Sequence, residues 1–222
     1  MPMSNYQEKP GEGSEKVQPK FKTEFLSQVI PDDERILELK HWCSEFIKSG
    51  LMPSYETGAY GNLSFRIKEG SNEFIITSSG LKDPESKESF ARVSSIDFEK
   101  QIVYAHGKRE PSSESMFHFL IYQNRPDVNA IFHGHCDKLL KCYEKLNIPC
   151  TKKEEPYGTI ELANQILDIL DKNNFLIIKN HGFISLGSDM DTAGKSAIAT
   201  LQIPLPPGRG RKRKALLTRK TG

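Results

Sequence analysis

Along residues 32–203, short apolar segments of strand length alternate with amphipathic segments of helix length, and this order constrains the fold most strongly. Apolar residues within 36–47 recur at steps of three and four, which predicts a helix that opens at Pro31-Asp32 and ends at Gly50. Residues 63–67 alternate apolar with polar side chains and predict a half-buried strand. Strands interspersed with helices indicate an α/β or α+β fold, with a mixed central β-sheet flanked by helices in three layers.

The same patterns predict the remaining elements. Further strands are expected at residues 74–77, 101–104, 128–132, 175–178 and 183–186. Further helices are expected at 113–123, 137–146 and 160–170, the first capped by Ser113 and the last by Thr159. A final helix opens at Asp189 or Asp191 and is stopped by Pro204. The chain contains no internal repeat, so a single domain accounts for these elements.

The ends of the chain differ from its middle in composition. A length of 222 residues suits one domain with tails. Residues 1–31, rich in Gln, Glu, Lys, Gly and Pro, are expected to form a disordered arm, and residues 204–222 a Pro-rich basic disordered tail. That tail holds seven Lys and Arg residues and no acid, so residues 1–203 carry 24 basic and 29 acidic residues. Because this body is acidic, nucleic acid is not expected as a partner despite the basic tail.

Membrane insertion and secretion are not expected. No apolar run approaches the ~20 residues that span a bilayer, and the first residues lack the apolar core of a secretory signal. The four cysteines, at positions 43, 136, 142 and 150, contain no CxxC pair, so reduced thiols in a cytoplasmic protein are expected. A structural zinc cluster from three of them is the weaker alternative, because their spacing is not a standard one.

Three histidines follow apolar strand segments, each beside a glycine. His133 and His135 flank Gly134 at a predicted strand end, and side chains at i and i+2 of a strand point to one face. Such a pair alone is more often explained as two polar residues at a strand end. His181 ends another predicted strand, and three such histidines match a catalytic zinc site with one open position. His118, in the middle of a predicted helix, is expected to be a core histidine satisfied by a hydrogen bond.

Three short segments could bind an anion. Residues 111–114, Pro-Ser-Ser-Glu, place two hydroxyls before a helix start, where unpaired N–H groups bind phosphate. An ordinary serine cap followed by an acidic first turn is the alternative. Gly61-Asn62 lies just before a predicted strand, and residues 77–80, Thr-Ser-Ser-Gly, lie at the end of another. Small residues at such positions let backbone N–H groups converge on an oxyanion. Taken separately, each of these two segments is also compatible with a simple turn.

The motifs, in their order and spacing, resemble the class II aldolase/adducin family from about Asp33 to Lys195, and its aldolases of fuculose-phosphate type most closely. The matching segments are GNLS at 61–64, TSSG at 77–80, SSE at 112–114 with His118 and Tyr122 after it, RPDVNAIFHGH at 125–135, YGT at 157–159 and NHG at 180–182. Each motif is short, but order and spacing agree over about three quarters of the chain, so the resemblance is specific.

The resemblance implies a site and an activity. His133, His135 and His181 would bind Zn²⁺ or another divalent metal, and Glu114 would act as the acid/base and ligate the metal before substrate displaces it. The substrate phosphate would be held by Gly61, Asn62, Ser79, Gly80, Ser112 and Ser113. The implied reaction of carbohydrate metabolism is cleavage of a ketose 1-phosphate, such as L-fuculose 1-phosphate, to dihydroxyacetone phosphate and an aldehyde. A homotetramer with sites near its subunit interfaces is implied as well.

Two departures from the family pattern leave alternatives open. Family aldolases use tyrosines from the loop after the HxH helix and from near the C-terminus, whereas here that loop, residues 147–153, has none and no aromatic residue follows Phe183. The final helix ends at Pro204 and is followed by the basic tail. Three interpretations of this tail are open: simple disorder, an alternative end from a frameshift or splice variant, or nuclear targeting. A 4-epimerase or dehydratase acting on a sugar phosphate, and a non-catalytic adducin-like protein, are the rival functions.

Overall fold

The computed structural model describes residues 21–56 and 58–204, which form a β-sheet between two layers of helices. The strands are β1 (Lys22–Ser27), β2 (Ser54–Tyr55), β3 (Gly58–Ala59), β4 (Asn62–Arg66), β5 (Phe74–Thr77), β6 (Phe90–Asp97), β7 (Ile102–His106), β8 (Ala130–Gly134), β9 (Phe175–Ile178) and β10 (Gly182–Gly187). The helices are α1 (Ile36–Lys48), α2 (Ser115–Asn124), α3 (Asp137–Cys142), α4 (Ile160–Leu170) and α5 (Met190–Gln202), with a 3₁₀ turn at Lys87–Ser89. Within these ranges no helix is both long and apolar enough to cross a lipid bilayer.

Eight strands form one sheet in the order β1-β7-β6-β5-β4-β8-β10-β9, and β2 and β3 form a separate short hairpin. Strand β1 runs parallel to β7, while the other neighbouring strands of the sheet are antiparallel. The expected fold class, a mixed sheet flanked by helices, is therefore confirmed. The order places β4, β8 and β10 side by side in one half of the sheet.

The alternation of side chains along the strands divides the core into two layers. Phe132 of β8 packs with Trp42 and Phe46 of α1 on one face of the sheet, where α3 and α5 also lie. The preceding residue, Ile131, belongs to the opposite cluster with Ile121 of α2 and residues of α4. Complete burial of each large apolar side chain contributes roughly 1.5–3 kcal/mol, so both faces stabilise the sheet.

Helix boundaries agree with the sequence patterns in part. The side chains of Thr159 and Asp189 cap α4 and α5 as expected, each accepting a hydrogen bond from a backbone N–H three residues on. Helix α1 begins at Ile36 rather than Pro31, because Asp33 accepts the Arg35 N–H and forms a turn there. The prediction of Ser113 as the cap of α2 is wrong, since Glu114 holds the N-cap position. Helix α3 also ends at position 142, earlier than expected.

The expected disordered arm over residues 1–31 extends too far into the chain. Residues Lys22–Ser27 form β1 at an edge of the sheet, so the folded domain begins before the expected boundary at residue 32. The sequence of β1 is mostly polar, and its pairing with β7 depends on backbone hydrogen bonds rather than on an apolar face. Strand β6 was not predicted either, because one Arg, two Ser and one Asp among its eight residues obscure the apolar alternation. Residues 1–20 and 205–222, including most of the predicted tail, lie outside the described residues.

Candidate functional site

Three histidines meet where β8 ends and β10 begins. His133 is the penultimate residue of β8, His135 follows that strand, and His181 directly precedes β10. The antiparallel pairing of Phe183 with Gly134 brings these strand ends together. Candidate ligand atoms of the three imidazoles all lie within 4.8 Å of one another. The structure thus brings together the three histidines that the sequence analysis singled out.

Two glycines permit this close approach of the strands. A Cβ atom added to Gly182 would lie 2.4 Å from the carbonyl oxygen of Gly134 and 2.8 Å from Cε1 of His133. A Cβ atom added to Gly134 would lie 2.6 Å from the Phe183 ring and 2.7 Å from the Leu51 carbonyl oxygen. Any larger residue would push β8 and β10 apart, so the glycine beside each histidine has a steric reason.

The donor atoms of this cluster fit a divalent metal. Nδ1 of His133 lies 2.8 Å from the Phe183 carbonyl oxygen, which can only accept, so Nδ1 carries the hydrogen and Nε2 offers a lone pair. Nε2 of His133 lies 3.2 Å from Nε2 of His135. Two nitrogen ligands at ~2.0–2.1 Å from a tetrahedral zinc ion would be about 3.4 Å apart. The two Nε2 atoms are therefore spaced close to what one bound zinc ion would require.

Burial keeps two of the imidazoles neutral. Desolvation lowers the pKa of His133 to about 3; the nearby His181 lowers it further, and the Phe183 carbonyl acts in the opposite direction. Desolvation, followed by His133 and His181, also lowers the pKa of His135 to about 3, against a smaller opposing effect of Glu114. The neutral imidazole is the form that binds metals, so these two side chains are in the ligating state at neutral pH.

Glu114, at the start of α2, brings a carboxylate next to the histidines. Its position before the first turn of α2 buries the side chain, which is 6% exposed as a residue. Oε2 accepts a hydrogen bond from Asn62 Nδ2 at 2.8 Å and lies 3.2 Å from Nε2 of His133. Oε1 lies 3.4 Å from Nε2 of His181 and accepts no hydrogen bond from the described residues. One oxygen is thus anchored and the other is free to bind a cation or a proton.

A cavity of about 560 Å³ opens beside these groups. Its lining includes every residue that the resemblance assigned to phosphate, together with His135, His181 and Glu114. This volume is within the range of small-molecule sites. Cavity and cluster are therefore parts of one candidate site.

Backbone groups around the cavity suit an anion. The N–H groups of Gly61, Gly80 and Ser113 have no acceptor among the residues that the structure describes. The Ser79 N–H, in contrast, donates to the Glu110 carbonyl oxygen at 2.9 Å, so only the Ser79 hydroxyl and its neighbour's N–H are available there. Unpaired N–H groups at turns and helix starts form anion-binding nests.

The Asn62 side chain is engaged differently from what the resemblance implied. Its Nδ2 donates to Glu114, and its Oδ1 accepts a hydrogen bond from Nε2 of His118 at 2.6 Å. One amide hydrogen of Asn62 remains for another ligand. The prediction that His118 is a hydrogen-bonded core histidine is confirmed, since its side chain is fully buried between Asn62 and Ser64.

Sequence reasoning missed several residues of the site. Tyr60 lies with its ring centroid 5.4 Å from the His135 ring and 4.5 Å from the Tyr55 ring, and both tyrosines line the cavity. Arg109 donates to the carbonyl oxygens of Ser79 and Gly80 at 3.1 Å each and so braces that turn from outside. Both tyrosines shortly precede the motif at 61–64, which was the available signal, whereas nothing in the neighbouring sequence marked Arg109.

Comparisons with known proteins identify the family of this chain and agree with its fold. The sequence pattern described as "Class II Aldolase and Adducin N-terminal domain" matches residues 38–202, and the chain therefore belongs to the class II aldolase/adducin family. The L-fuculose phosphate aldolase of Methanococcus maripaludis (strain C7) is 29% identical over 153 residues, which cover 63% of this chain and 79% of that protein. The L-fuculose phosphate aldolase of Escherichia coli K12 is 28% identical over 171 residues, covering 68% and 72% respectively.

Solved structures share the fold. A structure titled "L-fuculose 1-phosphate aldolase" superposes with a TM-score of 0.60 and 21% sequence identity, covering 81% of this chain and 93% of that one. The sugar-phosphate aldolase from Thermotoga maritima superposes with a TM-score of 0.59 and 18% identity, covering 77% and 97%. At this level of identity the likeness concerns the fold.

Proposed function

We propose that this chain is a metal-dependent aldolase that cleaves a ketose 1-phosphate to dihydroxyacetone phosphate and an aldehyde. The observation that carries the proposal is the convergence of a buried carboxylate, Glu114, with three histidines beside a cavity whose lining offers unpaired N–H groups. Membership of the class II aldolase/adducin family and relatives named L-fuculose phosphate aldolase support a lyase of this kind.

In this proposal His133, His135 and His181 hold Zn²⁺ or another divalent ion, and Glu114 is both the proton carrier and a neighbouring ligand. When bound, such an ion acts as a Lewis acid toward a carbonyl oxygen and its adjacent hydroxyl. The free oxygen of Glu114, Oε1, faces the histidines, where it can accept or return a proton at the reacting carbon. The anchored oxygen, Oε2, keeps the carboxylate in place during that exchange.

The phosphate is assigned to the rim of the cavity. The N–H groups of Gly61, Gly80 and Ser113 and the hydroxyls of Ser79, Ser112 and Ser113 supply donors, and Asn62 has one amide hydrogen left. The phosphate lies away from the bond that breaks. Binding it firmly lets this remote binding energy position the reacting carbon beside the histidines. A dephosphorylated ketose should therefore be a poor substrate in kcat/KM.

The test is a panel of ketose 1-phosphates offered to zinc-loaded protein, with released dihydroxyacetone phosphate measured by a coupled assay. Release from at least one member, lost in His133→Ala and kept in His41→Ala, is the expected result; His41 is an exposed histidine of α1 remote from the cavity. Conversion of the sugar without release would favour a 4-epimerase or dehydratase. No conversion of any member by zinc-loaded protein would favour the non-catalytic, adducin-like alternative.

We further propose how the chain assembles and where it is located. We infer a homotetramer from the family resemblance, and light scattering coupled to size-exclusion chromatography would measure the mass of the particle. All four cysteines are free thiols, which supports the cytoplasmic location expected from the sequence. Fractionation of the native host, with the protein followed by antibody, would test that location.

A further inference from the structure

A chain of buried hydrogen bonds leads from Glu114 into the core between β4 and α2. Asn62 Nδ2 lies 2.8 Å from Glu114 Oε2, Asn62 Oδ1 lies 2.6 Å from His118 Nε2, His118 Nδ1 lies 2.7 Å from Ser64 Oγ, and Ser64 Oγ lies 2.8 Å from the Tyr122 hydroxyl. The four residues beyond Glu114 are at most 3% exposed. Their polar groups are therefore removed from water and satisfied by one another.

The spacing of these residues explains how two elements build the chain. Asn62 and Ser64 lie at i and i+2 on β4 and share one face of the sheet. His118 and Tyr122 lie at i and i+4 on α2 and share one face of the helix. Four polar side chains thus replace apolar contacts at the centre of a layer. A buried polar group costs free energy unless it has a hydrogen-bond partner, and an apolar layer would avoid this cost. The presence of a polar network here therefore suggests a role beyond packing.

The direction of each hydrogen bond follows from the chemistry of the groups. The Asn62 Oδ1 atom can only accept, so His118 Nε2 carries a hydrogen. Desolvation, with a smaller effect of His133, holds the pKa of His118 well below its usual value, so the ring is neutral and Nδ1 accepts from the Ser64 hydroxyl. The Ser64 oxygen then accepts from the Tyr122 hydroxyl. All donors point toward Glu114, and the last of them is the Asn62 amide.

We propose that His118 is a positioning residue for Glu114 and acts through Asn62; this rests on the function proposed above. The hydrogen on His118 Nε2 locks the Asn62 amide with its oxygen toward the core and its nitrogen toward the carboxylate. If that lock is lost, the amide can rotate by half a turn. Its oxygen would then face Oε2 of Glu114, and the carboxylate would lose its anchor and meet another acceptor.

A purely structural role for His118 makes a different prediction. A core histidine that only stabilises the contact between α2 and β4 would lower the stability of the protein when replaced, whatever residue stands at position 114. A positioning residue, in contrast, loses its effect on the site once Glu114 is no longer a carboxylate. The two roles are separated by the coupling between positions 118 and 114.

The experiment is a double-mutant cycle with His118→Leu and Glu114→Gln. Zinc affinity, measured by competition with a chromogenic chelator, and kcat and KM in the aldolase assay are the readouts. We expect His118→Leu to lower kcat and zinc affinity by about 10- to 100-fold, the range of partners that orient metal ligands, with KM little changed. In the Glu114→Gln background the same replacement should change either quantity by less than about twofold.

Two further variants keep the test decisive if the leucine variant folds poorly. His118→Gln places an amide N–H near the position of Nε2 and should restore most of kcat and zinc affinity. Ile121 is a fully buried residue of α2 that takes no part in these hydrogen bonds. Ile121→Ala should leave a cavity and lower the thermal midpoint without coupling to position 114. NMR of ¹⁵N-labelled histidine should find His118 neutral with its hydrogen on Nε2.

The outcomes separate this inference from the proposed function. Equal effects of His118→Leu in both backgrounds, in protein that binds zinc, would overturn the positioning role and leave the proposed function intact. A His118 ring with its hydrogen on Nδ1 would also overturn the positioning role alone. Wild-type protein that binds no zinc and cleaves no ketose phosphate would overturn the proposed function, and this inference with it.

Discussion

Replacement of Glu114 by Gln tests proton transfer separately from structural effects, because the two side chains have nearly the same shape. The glutamine oxygen can take the hydrogen bond from Asn62 Nδ2 that Oε2 accepts at 2.8 Å. The amide nitrogen then occupies the position of Oε1, which accepts no hydrogen bond from the described residues, and faces His181. We therefore expect the free energy of unfolding to change by less than about 1 kcal/mol, the scale of one neutral hydrogen bond.

Catalysis should respond far more strongly than stability. A positioned acid/base contributes typically 10²- to 10⁴-fold, which at ~1.36 kcal/mol per tenfold corresponds to about 2.7–5.4 kcal/mol of activation free energy. Because the unpaired N–H groups around the cavity are unchanged, KM for the ketose phosphate should stay close to that of the wild type. The expected signature is a large fall in kcat with little change in KM or thermal midpoint.

The assay compares wild type, Glu114→Gln and the control Glu45→Gln, a carboxylate on α1 that does not line the cavity. Each protein is purified with zinc supplied, its zinc content is measured, and dihydroxyacetone phosphate release is followed by a coupled enzyme. Turnover of Glu114→Gln near the wild-type value would refute the reasoning and assign the proton to another group. A fall in turnover matched by a proportional loss of zinc would attribute that fall to the role of Glu114 as a metal ligand rather than to proton transfer.

Three further predictions concern the metal, the strands and the tail. His181→Ala should lower the zinc content from about one ion per chain, as measured by elemental analysis without chelator, while His41→Ala should not; metal-free wild type under these conditions would contradict the metal assignment. Gly182→Ala should destabilise the fold by roughly 1–3 kcal/mol in urea unfolding and weaken zinc binding, because its Cβ would meet the Gly134 carbonyl oxygen at 2.4 Å. Deletion of residues 204–222 should leave the melting temperature, oligomeric state and activity nearly unchanged, since α5 already ends at Gln202; a large fall in any of them would mean that the tail is structural.

Most of the sheet could be predicted because its central strands are buried and apolar. Strand β9 is a continuous apolar segment, β8 is apolar up to His133, and β5 is apolar up to its last residue, Thr77. Strand β1 could not be predicted from its side chains, since it pairs at the edge of the sheet through backbone groups that every residue carries. Its burial alternates only between exposed and partly buried positions, which leaves too weak an apolar pattern to separate a strand from an arm.

The candidate site also contains features that the sequence predicts and features that it does not. The meeting of three histidines could be anticipated, because each lies at a strand end and antiparallel pairing brings such ends together. The contact of Tyr60 with His135 could not, because it depends on how the β2–β3 hairpin folds over the cavity. Arg109 was likewise invisible, since its partners are carbonyl oxygens some 30 positions away in the sequence, and any residue could supply these.

The polar residues of β4 show where pattern-based prediction has most to gain. Asn62 and Ser64 interrupt a strand that is buried along its whole length, although an apolar residue at either position would pack without the cost of desolvation. From the sequence, Asn62 is predicted to hold phosphate just before the strand, and Ser64 to lie on the water-facing side of a half-buried strand. Their neighbours are instead His118 and Tyr122, whose i, i+4 spacing on α2 completes the polar layer. Polar residues that recur with matched periods on a strand and a helix therefore indicate a buried network, and here that network ends on the carboxylate of the candidate site.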